Sequence, residues 1–237
     1  MTYSIQKTDK PIQFYKETDN QLITNEYLIK KNKKIFNNKI PKSYTKFQYL
    51  QKRMIDYTVG TLLFLLTVPV ILYTIYRIRK ESPGPILFKQ SRIKRNGETF
   101  TCYKFRSMHV NSKFNPYTQE NDSRIFPFGN IMRQMRIDEL PQLLNIIKGD
   151  MHLVGPRAEW DILVKDYESV IPNYHNRHLV APGITGLAQV YYPYGRNIKD
   201  AKNKLKYDMT YINSWSLLLE IKVIWKTVEV VFGKRGM

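Results

Sequence analysis

Tyr57-Thr58-Val59-Gly60-Thr61-Leu62-Leu63-Phe64-Leu65-Leu66-Thr67-Val68-Pro69-Val70-Ile71-Leu72-Tyr73-Thr74-Ile75-Tyr76 decides the fold, because its 20 residues carry no charge. A helix of that length just crosses a bilayer core. A buried helix of a soluble protein has similar composition, but the flanks argue against it. Lys52, Arg53 and Asp56 precede the run, and Arg77, Arg79 and Lys80 follow it. Basic residues at both ends favour placing both ends on one side of a membrane. Pro69 removes one helical donor and frees the carbonyl of Leu65, so a kink is expected there, with Thr67 compensating in part. The reading preferred over a straight span is a re-entrant helix that enters the bilayer, bends at Pro69 and leaves on the same face.

Outward from this segment, Glu81-Ser82-Pro83-Gly84-Pro85 predicts a turn. Ile86–Gln90 and Thr99–Phe105 read as strands joined around Asn96-Gly97, a hairpin signal. Residues 111–122 are polar and loop-like. Ile131–Lys148 reads as helical with a break near Pro141; Leu140, Leu143, Leu144 and Ile147 share one face, and Gly149 is a natural stop. Tyr211–Phe232 reads as a second apolar helix. Leu217, Leu218, Ile221, Ile224, Trp225 and Val228 lie on one side, and Lys222, Lys226 and Glu229 on the other, which favours an interfacial helix. The expected class is α+β, predominantly helical: a monotopic membrane protein with a Pro-kinked re-entrant helix, a small β-hairpin and interfacial amphipathic helices. The expected divisions are a basic extension at 1–49, the membrane helix at 50–80, and a catalytic domain at 81–237.

A net charge of +18 calls for an anionic partner: nucleic acid, an anionic membrane surface or a phosphorylated substrate. Nucleic acid fits least, because no recognition helix or aromatic platform is evident and the apolar segment stays unexplained. The lone Cys102 rules out an intramolecular disulfide. Residues 1–50 lack the apolar core of a secretory signal. His109, His152, His175 and His178 show no zinc-ligand spacing, and no Walker loop, dinucleotide fingerprint or serine elbow occurs.

The residues that could carry chemistry begin at Arg136-Ile137-Asp138-Glu139-Leu140-Pro141-Gln142-Leu143. Adjacent acids at a helix start often serve only the positive helix end. Here Lys104, Arg106, Arg133, Arg136 and Arg157 surround them in sequence. Such cations keep a carboxylate ionised and offset phosphate charge, as attack on a phosphoryl centre requires. Gly155-Pro156-Arg157 is a turn presenting an arginine fork suited to phosphate. Pro182–Gly186 is either a rigid loop admitting a ligand close to backbone or a structural turn.

From about Gln51 to Phe232 the chain resembles the bacterial sugar transferases, the polyprenyl-phosphate phosphoglycosyl transferases. The motifs follow in the family's order: Lys52–Asp56, the Pro69 segment, Phe88–Arg92, Lys104–Met108, Asp122–Ile125, Arg136–Gln142, Lys148–Met151, Gly155–Arg157 and Pro182–Val190. Ala158 and Lys94 stand where relatives often carry proline and glycine, and Tyr191, Tyr192 and Tyr194 are extra aromatics, so the sugar contacts are not carried over with the catalytic pair. The resemblance implies a two-step transfer. Asp138 attacks the β-phosphorus of a UDP-sugar and UMP leaves; a polyprenyl phosphate such as undecaprenyl phosphate then takes the phosphosugar from Asp138. Asp138 and Glu139 become the catalytic pair and the ligands of Mg²⁺. Substrate contacts fall to Lys104, Arg106, Arg136, Arg157, Gln189, Arg196, Asp208 and Glu220. The implied setting is the cytoplasmic face of a bacterial inner membrane, with self-association left open. A noncatalytic membrane-anchored scaffold is the competing reading.

Overall fold

Thr45 starts the first helix: its hydroxyl accepts from Gln48 N at 3.2 Å while the Gln48 side chain takes the Thr45 N–H at 2.9 Å. A computed structural model describes residues 44–110, 112, 122–192 and 197–233. Most of the predicted extension, most of the polar loop and Arg196 therefore lie outside the described residues. Helix α1 runs over Lys46–Glu81, 36 residues with Pro69 inside it, and stops at Ser82, which precedes Pro83. It is the helix, among the described residues, long and apolar enough to cross a membrane.

The charges on the two sides of the apolar run differ: Lys52, Arg53 and Asp56 before it are buried, whereas Arg79 and Lys80 after it are exposed. Asp56 accepts from Leu153 N at 2.8 Å and lies 2.5 Å from His152 Nδ1, and Arg53 donates to the Ile146 carbonyl at 3.0 Å. They fasten the base of α1 to the protein body, because a buried charge must find partners. The far end of α1 is fastened differently. Ile78, fully buried, joins Phe105, Phe126, Phe128 and Met132 in one cluster, with Ile71 and Ile75 packed against it. Glu81 accepts from Phe128 N at 2.7 Å. Both ends of α1 thus meet the same body, and its middle leaves Leu62, Leu65 and Leu66 exposed. Thr67 does not reach the Leu65 carbonyl; its hydroxyl bonds Leu63 O at 2.7 Å and Phe64 O at 3.2 Å, the backward reach open to a helical threonine.

β1 (Leu87–Ile93) and β2 (Thr99–Phe105) form the antiparallel hairpin, turning through left-handed Asn96 and Gly97. α2 (Pro127–Gln134), a 3₁₀ turn (Ile137–Gln142) and α3 (Leu143–Lys148) follow, and α3 ends at left-handed Gly149 as expected. The predicted face of α3 is corrected: Leu144 and Ile147 are exposed, whereas Asn145 and Ile146 are buried. Asn145 turns inward because its amide replaces a strand partner, accepting from Tyr103 N (3.1 Å) and donating to Thr101 O (2.8 Å) on β2.

β3 (His152–Val154) pairs in parallel with β4 (Gly183–Thr185), a second small sheet that the sequence pattern did not announce. α4 (Asp161–Val170), a 3₁₀ turn (Tyr174–Leu179), α5 (Leu187–Tyr191), α6 (Ile198–Asn213) and α7 (Leu217–Phe232) follow. Ile93, Val164, Ile171, Tyr174, Ala201 and Leu205 make a second core between the hairpin and these helices. The apolar stretch expected as one helix from Tyr211 is two, because Ser216 caps a new start by accepting from Leu219 N. α7 also faces oppositely to a soluble helix. Glu220 and Val223 are fully buried and Thr227 bonds Thr185, while Leu218 is 80% and Trp225 69% exposed.

Candidate active site

Arg136 links α2 to the 3₁₀ turn with φ 58° and ψ 18°, a left-handed backbone uncommon for a side chain of this size. The helical direction therefore changes just before Asp138 and Glu139. Ile137 and Leu140, on either side, pack against the cluster that holds the end of α1. Pro141, lacking an N–H, sits inside the turn. Both acids are buried as a result, at 8% and 6% exposure.

Their environments differ. Lys104 Nζ from β2 and Arg157 Nη2 each lie 2.9 Å from Glu139 Oε1, and Arg136 Nη1 is 3.7 Å away. Burial alone would raise the Glu139 carboxyl, but these cations outweigh it and hold it well below the ordinary glutamate range. Asp138 is raised: burial dominates, Lys104 pulls it down and ionised Glu139 pushes it up. Asp138 Oδ1 is buried without a hydrogen-bond partner. Neighbouring carboxyls driven apart in this way divide the labour, one a permanent anion and the other the more basic group.

Arg157 reaches Glu139 from the Gly155–Pro156 turn after β3. The glycines of this turn and of Pro182–Gly186 serve each other: a Cβ on Gly183 would lie 2.1 Å from Gly155 N, and one on Gly186 would lie 2.1 Å from Gly155 O. Backbone packs on backbone there, which accounts for the glycines structurally. Arg177, which the sequence reading passed over, is buried; it donates to the Arg157 carbonyl at 2.9 Å and pairs with buried Asp208 at 2.8 Å. Its one local partner is the Tyr174 hydroxyl at 2.8 Å, while the two that tie it to the site are 20 and 31 residues away, so no short-range pattern announces that role.

The expected substrate residues do not all gather at the pair. Lys104, Arg136 and Arg157 do. Arg106 does not: it donates to Ser82 Oγ (2.5 Å), Ser82 O, Pro85 O (2.6 Å) and Met108 O (3.2 Å), so it clamps the turn leaving α1. Asp208 is engaged by Arg177 beside a small polar pocket that Glu159, Tyr174 and Lys204 also line. Glu220 is fully buried against Lys52 at 2.5 Å. Gln189 donates to Ile184 O at 2.8 Å and keeps a buried Oε1 without a partner.

For a cation, no group of three or more His, Cys, Asp or Glu side chains forms among the described residues. Magnesium does not need one, because it binds through one or two carboxylates together with substrate phosphates and water. The orphan Asp138 Oδ1 beside Glu139 fits that pattern.

The Bacterial sugar transferase family profile matches residues 47–234. The chain is 40% identical over 189 residues to an Aeromonas hydrophila UDP-N-acetylgalactosamine-undecaprenyl-phosphate N-acetylgalactosaminephosphotransferase, covering 78% of this chain but 45% of that protein. It is 39% identical to a Caulobacter vibrioides UDP-glucose:undecaprenyl-phosphate glucose-1-phosphate transferase, covering 76% of this chain and 68% of the relative. It is 37% identical to a Rhizobium leguminosarum exopolysaccharide production protein, covering 77% and 96%. The chain thus spans less than half the length of the Aeromonas relative.

Proposed function

Because the chain belongs to the bacterial sugar transferase family, we propose that it moves a phosphosugar from a UDP-sugar to a polyprenyl phosphate such as undecaprenyl phosphate. The observation that carries this reading is the division between Asp138 and Glu139: a raised, partnerless carboxyl oxygen next to an acid that gathers cations.

A carboxylate oxygen of Asp138 bonds to the β-phosphorus of the donor, and the bond to the α-phosphate oxygen breaks, so UMP departs with its electron pair. A phosphate oxygen of the polyprenyl phosphate then bonds to the same phosphorus, and the bond from that phosphorus to the Asp138 oxygen breaks, restoring the Asp138 carboxylate. Lys104, Arg136 and Arg157 receive the pyrophosphate oxygens, and Glu139 holds those cations in register. Arg106, Asp208 and Glu220 act from behind, through the turns and strand they hold. Asp138 and Glu139 would hold Mg²⁺, which supplies charge compensation for the pyrophosphate when bound.

The acceptor is a lipid, and two features support a membrane setting: the exposed apolar middle of α1 and the outward apolar face of α7. Both ends of α1 fasten to one body, which favours a helix that dips into the bilayer, bends at Pro69 and returns. The site then lies at the cytoplasmic face of a bacterial inner membrane, where UDP-sugars are available.

The test is UMP release from a panel of UDP-sugars by the protein in nanodiscs, with Mg²⁺ and undecaprenyl phosphate, beside Asp138→Asn. Release that needs the lipid for turnover and vanishes in the variant supports the reading; full activity in the variant overturns the nucleophile. For topology, Lys46→Cys and Lys80→Cys stand at exposed positions beyond the apolar middle, and the native Cys102 is buried. Neither should react with an impermeant maleimide applied from the periplasmic side, and reaction of either one sinks the re-entrant form.

A further inference from the structure

Lys52 is the most completely enclosed charge in α1. It is fully buried, and its ammonium donates to Glu220 Oε1 (2.5 Å), the Tyr211 hydroxyl (2.8 Å) and the Val154 carbonyl (2.9 Å). Those are all the donors it has. Glu220, equally buried, receives the Tyr211 hydroxyl (2.7 Å) and the Trp215 indole N–H (2.9 Å) on its other oxygen. The rings of Tyr44, Tyr211 and Trp215 stand 5.4, 5.5 and 5.9 Å from the ammonium. Apolar replacement of a buried ion pair is often neutral or stabilising, so stability alone gives no reason for this assembly. Its placement gives one.

Three parts of the protein meet at this point. Lys52 comes from α1, Glu220 from α7 with its outward apolar face, and Val154 ends β3. Three residues beyond Val154 is Arg157, carried on a turn with little freedom. A Cβ on Gly155 would lie 2.8 Å from both Ala181 O and Gly183 N, and Gly183 N donates to Pro156 O at 2.9 Å. Displacement of the Val154 carbonyl therefore passes along the turn to the guanidinium at Glu139. We infer that Lys52 and Glu220 are positioning residues for phosphoryl transfer: they tie the two lipid-facing helices to the strand that aims Arg157 at Glu139. Seating α1 and α7 in a membrane then sets the geometry of the phosphate-binding cations. This rests on the proposed reaction, with Arg157 as a pyrophosphate contact.

Lys52→Met alone strands Glu220 in the interior and confuses lost geometry with lost folding. The informative variant is Lys52→Met with Glu220→Leu, which removes both charges and keeps volume. In nanodiscs, with the UDP-sugar that turns over and undecaprenyl phosphate, it should stay folded with kcat/KM lowered about 10- to 100-fold, as small misplacements of reacting groups cost. In an Arg157→Ala background the same pair of changes should lower kcat/KM by less than about twofold, because nothing is left to aim. Penalties that multiply in full would mean a general structural role and overturn the inference, as would undiminished activity of the pair variant in the native background. If Arg157→Ala itself leaves UMP release unchanged, it is the assignment of Arg157 in the proposed reaction that fails.

Discussion

Glu220 and Asp138 are both buried carboxylates near the start of a helical segment, and they have opposite fates. Glu220 is saturated by an ammonium, a phenol and an indole. Asp138 keeps a buried oxygen without a hydrogen-bond partner, while the cations nearby attend to its neighbour. Burial is common to both and so decides nothing. What separates scaffold from chemistry is whether the buried group's bonding capacity is spent. An unsatisfied buried acceptor is costly and persists where a ligand completes it.

The contrast breaks first at Asp138. Asp138→Asn keeps the shape and removes the nucleophile, so UMP release should fall by about 10⁴-fold or more, the scale seen when a covalent nucleophile is lost. Retention of near-native turnover would make Asp138 another scaffold acid. Glu139→Gln should cost about 10²- to 10³-fold in kcat/KM, since it releases the cations from register; a mere change in thermal stability would demote it. At the scaffold end, Lys52→Met should lower unfolding free energy by about 3–5 kcal/mol, the penalty for orphaning a buried charge, measured by denaturant titration in detergent. A loss below about 1 kcal/mol would mean that water reaches Glu220.

The smallest effect sharpens the comparison through pH. The Asp138 carboxyl is raised above its unfolded value, so its stabilising contribution is present below that value, near pH 3.8, and is lost as pH rises through the folded one. Asp138→Asn should therefore have a higher Tm than the native chain at pH 7, with the gap closing toward pH 4. Glu139 has the opposite sign: its contribution is present above about pH 4.5 and is lost as pH falls through its depressed value. Glu139→Gln should accordingly be less stable than the native chain at pH 7, with that gap closing in acid.

The long helix, the hairpin, the Gly149 stop and the Asp138-Glu139 pair were legible because each is written in neighbouring residues. The partners of Lys52 and Asp56 were not, since Glu220 and His152 lie 168 and 96 residues away. The charges before the apolar run serve as internal anchors, which no neighbouring residue announces. Nor does periodicity name the medium a face meets. α7 shows an apolar and a polar stripe, and only packing reveals that the stripe with Glu220, Val223 and Thr227 turns inward. The same limit reversed Leu144 and Asn145 on α3, where an amide that mimics backbone is buried and leucine is not.

That amide has a consequence for how the chain behaves among its own copies. A two-stranded hairpin presents open margins, and an unpaired margin invites strands from other molecules. Asn145 occupies the donor of Tyr103 and the acceptor of Thr101, closing one such margin with a single side chain. Each copy thereby offers one pairing edge fewer to a neighbouring strand.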